Sequence, residues 1–135
     1  MKPITFEDLE TLARTCWGEA RGEPMEGKIA VAAVILNRWR SGRWFAGRTI
    51  AETCTKPWQF SCWNESDPNR TKLLAVDLRD RMFRECVAAA LQAIGGEDPT
   101  DGSTHYHALH VRPAWARDKT PTRVIAHHLF YRGID

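Results

Sequence analysis

The sequence lacks any apolar run near the ~18 residues that a membrane-crossing helix requires, which excludes a conventional span. Its opening stretch, MKPITFEDLE, has one Lys and no apolar core, so it does not read as a secretory leader. Neither sign of charge is in excess. Nineteen basic and 17 acidic residues leave a net +2, too even to suggest nucleic-acid binding. The four cysteines, Cys16, Cys54, Cys62 and Cys86, form no CxxC pair, which disfavours a zinc ribbon or a thioredoxin-like motif. GxGxxG, Walker A, GxSxG and HExxH are all missing, so nucleotide binding, the usual serine hydrolase chemistry and zincin-type proteolysis lose their sequence support. The expectation is a product made in the cytoplasm without a signal peptide, a monomer, with no nucleic acid partner and no membrane span.

What is present is globular. Hydrophobic residues make up 43% and charged residues 27%, an ordinary balance for a chain that buries a core. At 135 residues the expectation is one domain, 1–135. Six tryptophans are unusual for this length, and Trp offers flat faces for sugars as well as core volume. Cys16 and Cys86 fall in apolar-periodic segments, whereas Cys54 and Cys62 flank a loop and are free to pair in an oxidising space.

Thr5 and Asp8 resemble a capping box ahead of Phe6, Leu9, Leu12, Ala13, Cys16 and Trp17, whose spacing predicts an amphipathic helix over about 6–20. Residues 25–39, MEGKIAVAAVILNRW, are apolar nearly all round, which fits a buried central helix. Thr49 and Glu52 start a short helix, Asp67-Pro68 starts another, and a long one is expected over about 79–94, closed by Gly95-Gly96. Asp80 with Arg84 and Arg81 with Glu85 have the spacing of surface ion pairs. STHYHALHV and TRVIAHHLFYR favour strands and suggest a small β-hairpin joined by residues 113–122. The fold class is therefore α+β: a mainly helical lobe around a buried helix, a small C-terminal β-hairpin or sheet, and a cleft between them.

Four features bear on chemistry. Glu19, in WGEARGEP, sits at the edge of the first helix's apolar stripe. Loss of water there favours a protonated carboxyl, and a glycosidic oxygen needs such an acid to leave. The alternative is a helix-end Glu paired with Arg14, Arg21 or Arg38. Glu23 stands before Pro24 and is expected to cap the central helix, where the dipole favours an anion. His105 and His107 alternate on one strand face, with His110, His127 and His128 nearby. Such a cluster leaves zinc open, although no Cys ligand is in that region. The loop WQFSCW interleaves Trp58, Phe60 and Trp63 with Gln59 and Ser61, a mixture suited to a sugar or to a satellite core.

EARGEP, GKIAVAAVILNR, QFSCW, THYHA and HHLFYR occur in this order, from about Leu12 to Arg132. Together they resemble the cell wall hydrolase family of SleB/CwlJ type, known from spore-cortex lysis and phage endolysins. The resemblance implies a lysozyme-like, lytic-transglycosylase-like domain that cleaves peptidoglycan between N-acetylmuramic acid and N-acetylglucosamine, as a lytic transglycosylase or a muramidase. It implies Glu19 as the catalytic acid/base. It places Gln59, Phe60, Ser61, Trp63, His105, Tyr106 and His107 near the glycan, with no cofactor and no metal. Two routes to the wall or periplasm stay open, release by a holin as for a phage endolysin and export by another path as for a bacterial remodelling enzyme. The stretch WFAGRTIAETCTKPW departs from the family pattern. The competing expectations are a zinc-dependent amidase or peptidase using the C-terminal histidines, and a non-catalytic wall-binding module.

Overall fold

A computed structural model describes residues 3–135. Helix α1 (Phe6–Ala20) begins with the capping box that the sequence shows: Thr5 accepts from the Asp8 amide, and Asp8 accepts from the Thr5 amide. Its buried face is Leu12, Ala13, Cys16, Trp17 and Ala20. Helix α2 (Met25–Ser41) is buried on nearly every side and ends at Gly42, whose φ of 66° is cheap for a residue without Cβ. Helices α1 and α5 (Arg81–Ile94) pack against it and against each other. Leu12, Ile35 and Leu36 are at most 1% exposed, and each such burial contributes roughly 1.5–3 kcal/mol. Helices α3 (Ile50–Thr55) and α4 (Pro68–Ala75) are capped by Thr49 and Asp67 and close the lobe around α1.

All four cysteines are buried free thiols, so the loop pair Cys54 and Cys62 is not a disulfide here. Burial pushes the Cys54 thiol up to about 12. One of the two expected surface ion pairs is missing, because a backbone amide competes for the same carboxylate. Asp80 accepts from the Phe83 amide as the α5 cap and does not pair with Arg84, whose guanidinium bonds the Leu78 carbonyl. Arg81 does approach Glu85, at 3.7 Å.

The C-terminal segment is a three-stranded antiparallel sheet in the order β1-β3-β2. Strand β1 is His105–Ala108, β2 Arg123–Ile125 and β3 His128–Tyr131. The second predicted strand is broken by a tight turn at Ala126 and His127, with Ala126 at φ 49°. The hairpin therefore lies inside TRVIAHHLFYR, with Val124 opposite Leu129, and STHYHALHV adds its strand to the other side of β3. Phe130 and Ile125 face the helical lobe and join its core, which brings β1 against the C-terminal end of α1.

Candidate active site

Three segments converge on Glu19. It is half-buried one residue before the end of α1. Arg38 projects from the last turns of α2, and β1 supplies Tyr106 from across the cleft. The Tyr106 hydroxyl donates to Glu19 Oε1 at 2.5 Å. Burial, and then the adjacent Glu19, push this phenol well above its ordinary value, so it stays a proton donor. None of the three arginines considered as partners bonds Glu19. Arg14 holds Glu10 and the carbonyls of Leu73 and Val76. Arg21 stacks on Trp17 and reaches Asn69. Arg38 donates to the Thr104 carbonyl at 2.6 Å and to Gln59 Oε1 at 2.9 Å.

Arg38 is the residue that sequence reasoning undervalued. A guanidinium buried to 6% exposure must be satisfied on all its donors, and here it lies between the Phe45 and Phe60 rings. Burial pulls its pKa down, while Tyr106 and Glu19 pull the other way. Its signal in the sequence was a charge inside an apolar helix.

The groove beside Glu19 has a volume of about 400 Å³. Gln59, Phe60, Ser61, Tyr106 and His107 line it with Arg38, Trp115 and His128. The turn before Gln59 puts Trp58 at φ 69°, in the left-handed region, and sends its ring outward. Phe60 is thereby turned inward and buried. Two expected residues lie elsewhere. Trp63 packs against the helical core and donates its Nε1–H to Thr15 Oγ1 at 2.9 Å, because a 3₁₀ turn over Ser61–Trp63 points it back at α1. His105, at the start of β1, is buried between Phe45 and Trp115, which close over it and keep it out of the groove that His107, two residues on, reaches. Burial, then Arg38 and Arg43, lower its pKa to about 4.

A second hollow of about 390 Å³ opens on the other side of Glu19, and Ala108 and His128 are common to both. Here Glu23 does not cap α2. Pro24 occupies the N-cap position, and the Glu23 carboxylate instead accepts from the His127 amide at 3.0 Å and approaches His127 Nδ1 at 2.7 Å. Burial alone would raise Glu23, but the His127 bonds and the charge of His128 outweigh it and its pKa falls. His128 Nδ1 is 3.0 Å from Glu23 Oε1 without a hydrogen bond, and its ring meets Tyr106 edge-on at 5.0 Å. Burial lowers His128 against the pull of Glu23 and Glu19. Among the described residues no group of three His, Cys, Asp or Glu side chains is set to hold a metal ion.

The family model for cell wall hydrolases matches residues 22–131. The chain belongs to the cell wall hydrolase family. Its matched range starts at Gly22, so Glu19 stands three residues ahead of it. This family member is 32% identical over 128 residues to the spore cortex-lytic enzyme of Bacillus subtilis (strain 168), covering 91% of this chain and 37% of that protein. With the spore cortex-lytic enzyme of Halalkalibacterium halodurans the figures are 31% over 124 residues, 91% and 34%. The chain thus spans about a third of the length of these curated relatives. Its fold matches the crystal structure of the catalytic domain of the Bacillus cereus SleB protein with a TM-score of 0.79 at 26% identity, covering 98% of this chain and 94% of that one. The catalytic domain of the germination-specific lytic transglycosylase SleB from Bacillus anthracis gives the same score and identity, covering 98% and 99%. The lysozyme-like α+β architecture expected from the sequence is this fold.

Proposed function

We propose that this cell wall hydrolase cleaves the glycan strand of peptidoglycan between N-acetylmuramic acid and N-acetylglucosamine, as a lytic transglycosylase, with Glu19 as general acid and base. The observation that carries this is the Glu19 carboxyl group on the groove wall, with Oε1 engaged by the Tyr106 hydroxyl. Oε2 then holds the proton that passes to the departing glycosidic oxygen. The C1–O bond breaks with its electron pair going to that oxygen, and an oxocarbenium-like muramoyl centre forms. Glu19, now ionised, takes the proton of the muramoyl C6 hydroxyl, whose oxygen closes on C1 to give a 1,6-anhydro ring. No co-reactant is consumed.

The arrangement favours this course over water attack at the opposite face. An inverting glycosidase needs a second carboxylate about 6.5–9.5 Å from the acid to activate water. Among the described residues that line the groove, Glu19 is the carboxylate. Glu23 is committed to His127. Asp101 and Asp118 occupy left-handed turn positions, at φ 56° and 60°. The nucleophile is then most economically the substrate's own hydroxyl. Around it, Trp115 and Phe60 offer apolar faces, while Ser61, His107 and the amide N–H groups of Gln59, whose oxygen is held by Arg38, suit sugar hydroxyls. The relatives named as spore cortex-lytic enzymes and as a lytic transglycosylase support the same reading.

Glu19→Gln keeps the shape and the acceptor for Tyr106 but has no proton to transfer. General acid–base help of this kind is worth about 10²–10⁴-fold. Clearing of purified sacculi should slow by that factor, and mass spectrometry of wild-type products should show anhydro-muramoyl ends. A folded Glu19→Gln protein that clears sacculi at the wild-type rate refutes the assignment. Reducing muramoyl ends would make the enzyme a lysozyme, and free stem peptides would make it an amidase.

A further inference from the structure

A cavity of about 630 Å³ adjoins the groove and shares His107, Val111 and Pro113 with it. Its outer wall carries Arg112, Arg117 and Lys119, against one acid, Asp118. Other surface cations of this lobe are paired: Arg123 and Arg132 with Asp101, and Arg43 with Asp135. Among the described residues no ion pair or side-chain hydrogen bond engages Arg112, Arg117 or Lys119. Successive turns, Ala116 N to Pro113 O, Arg117 N to Ala114 O and Lys119 N to Ala116 O, fix the backbone that bears them. Leu109 and Val111, half-exposed, add an apolar rim.

A glycan strand lying across Glu19 needs somewhere to put the substituent on its muramic acid. That substituent is a peptide of alternating methyl-bearing and carboxylate-bearing residues, leaving the sugar through a lactyl ether. A cavity open to the groove, cationic on one wall and apolar at the rim, matches that chemistry in size and in sign. We propose that this cavity is a binding site for the acidic stem peptide of the muramic acid seated in the groove, with Arg112, Arg117 and Lys119 facing its carboxylates. The assignment rests on the glycan-cleaving reading above and adds a preference to it: strands that carry stem peptides are held better than bare ones.

Binding measured without turnover separates the two. Calorimetry with N-acetylglucosaminyl-N-acetylmuramic acid, with and without its tetrapeptide, reads the cavity directly. At low salt the peptide-bearing ligand should bind wild-type protein about tenfold more tightly, the size expected of a few part-exposed charge contacts. In Arg112→Glu/Arg117→Glu/Lys119→Glu that gain should vanish while the affinity for the bare disaccharide stays. Equal affinity for the two ligands in wild type, a gain that survives the triple charge reversal, or no binding of either ligand would overturn the proposal. Should Glu19→Gln clear sacculi normally while the charge-dependent gain persists, the catalytic assignment fails and the peptide site stands.

Discussion

Replacing Gly18 with alanine sets two effects against each other next to Glu19. Within a helix the exchange favours alanine by about 1 kcal/mol. Gly18 is also where α1 meets the 3₁₀ turn of the aromatic loop. A Cβ built there lies 2.8 Å from Cys62 Cβ, 2.9 Å from its Sγ and 3.1 Å from Leu73 Cδ2. Both partners are buried, and one is an atom fixed to backbone, so no side-chain rotation relieves the clash. Overpacking of this kind costs about 1–3 kcal/mol, so the packing term equals or exceeds the propensity gain and the net loss is about 0–2 kcal/mol. The functional effect is larger, because the turn that must retreat carries Phe60 and Ser61 on the groove wall. A shift of half an ångström there should cost about tenfold in rate, since an ångström of misplacement can cost about 10²-fold. Urea unfolding with an unchanged m-value gives the first number, and clearing of sacculi gives the second. A variant more stable than wild type and fully active would show that the loop does not hold the groove as described.

Tyr106→Phe keeps the ring against His128 and Phe130 and removes the donor to Glu19. We expect kcat on soluble glycan strands to fall about ten- to a hundredfold with little change in KM, the mark of an interaction used in the transition state. A wild-type kcat would remove Tyr106 from the mechanism. The second expectation concerns acid stability. His105 is neutral in the folded protein down to about 4, against an ordinary value of 6.5. Below 6.5 the unfolded chain takes up a proton that the native one refuses, so stability is lost as pH falls from there towards 4. The gap corresponds to about 3 kcal/mol. His105→Leu should flatten that limb of the urea-stability profile, and an unchanged slope between the two proteins would refute the account.

The parts of the molecule legible in the sequence are those written locally. Thr5 and Asp8, Asp67 with Pro68, and the all-round apolar stretch before Asn37 state their helices within a few residues, and each helix is where those signals put it. Glu19 drew notice as a charge at the edge of an apolar stripe, but its spacing fitted a helix-end partner of an arginine equally well, and only the family resemblance singled it out. What was not legible depends on contacts distant in sequence. Arg38 finds Thr104 and Gln59, 66 and 21 residues away, and Glu23 leaves the helix start for His127, 104 residues on. No local pattern announces such partners. Trp63 and His105 were misplaced for a different reason. Composition marked the segments that build the groove, but the 3₁₀ turn that points Trp63 back at α1 and the Phe45 and Trp115 rings that cover His105 decide which side chains of those segments enter it.

The bond between Tyr106 and Glu19 joins residues 87 positions apart. The two are brought together by the sheet, in which β3 pairs along the whole of β1 and holds it in place. Glu19 thus owes its hydrogen-bond donor to a sheet held together far along the chain, so loosening β3 from β1 should unsettle the carboxyl group without touching α1.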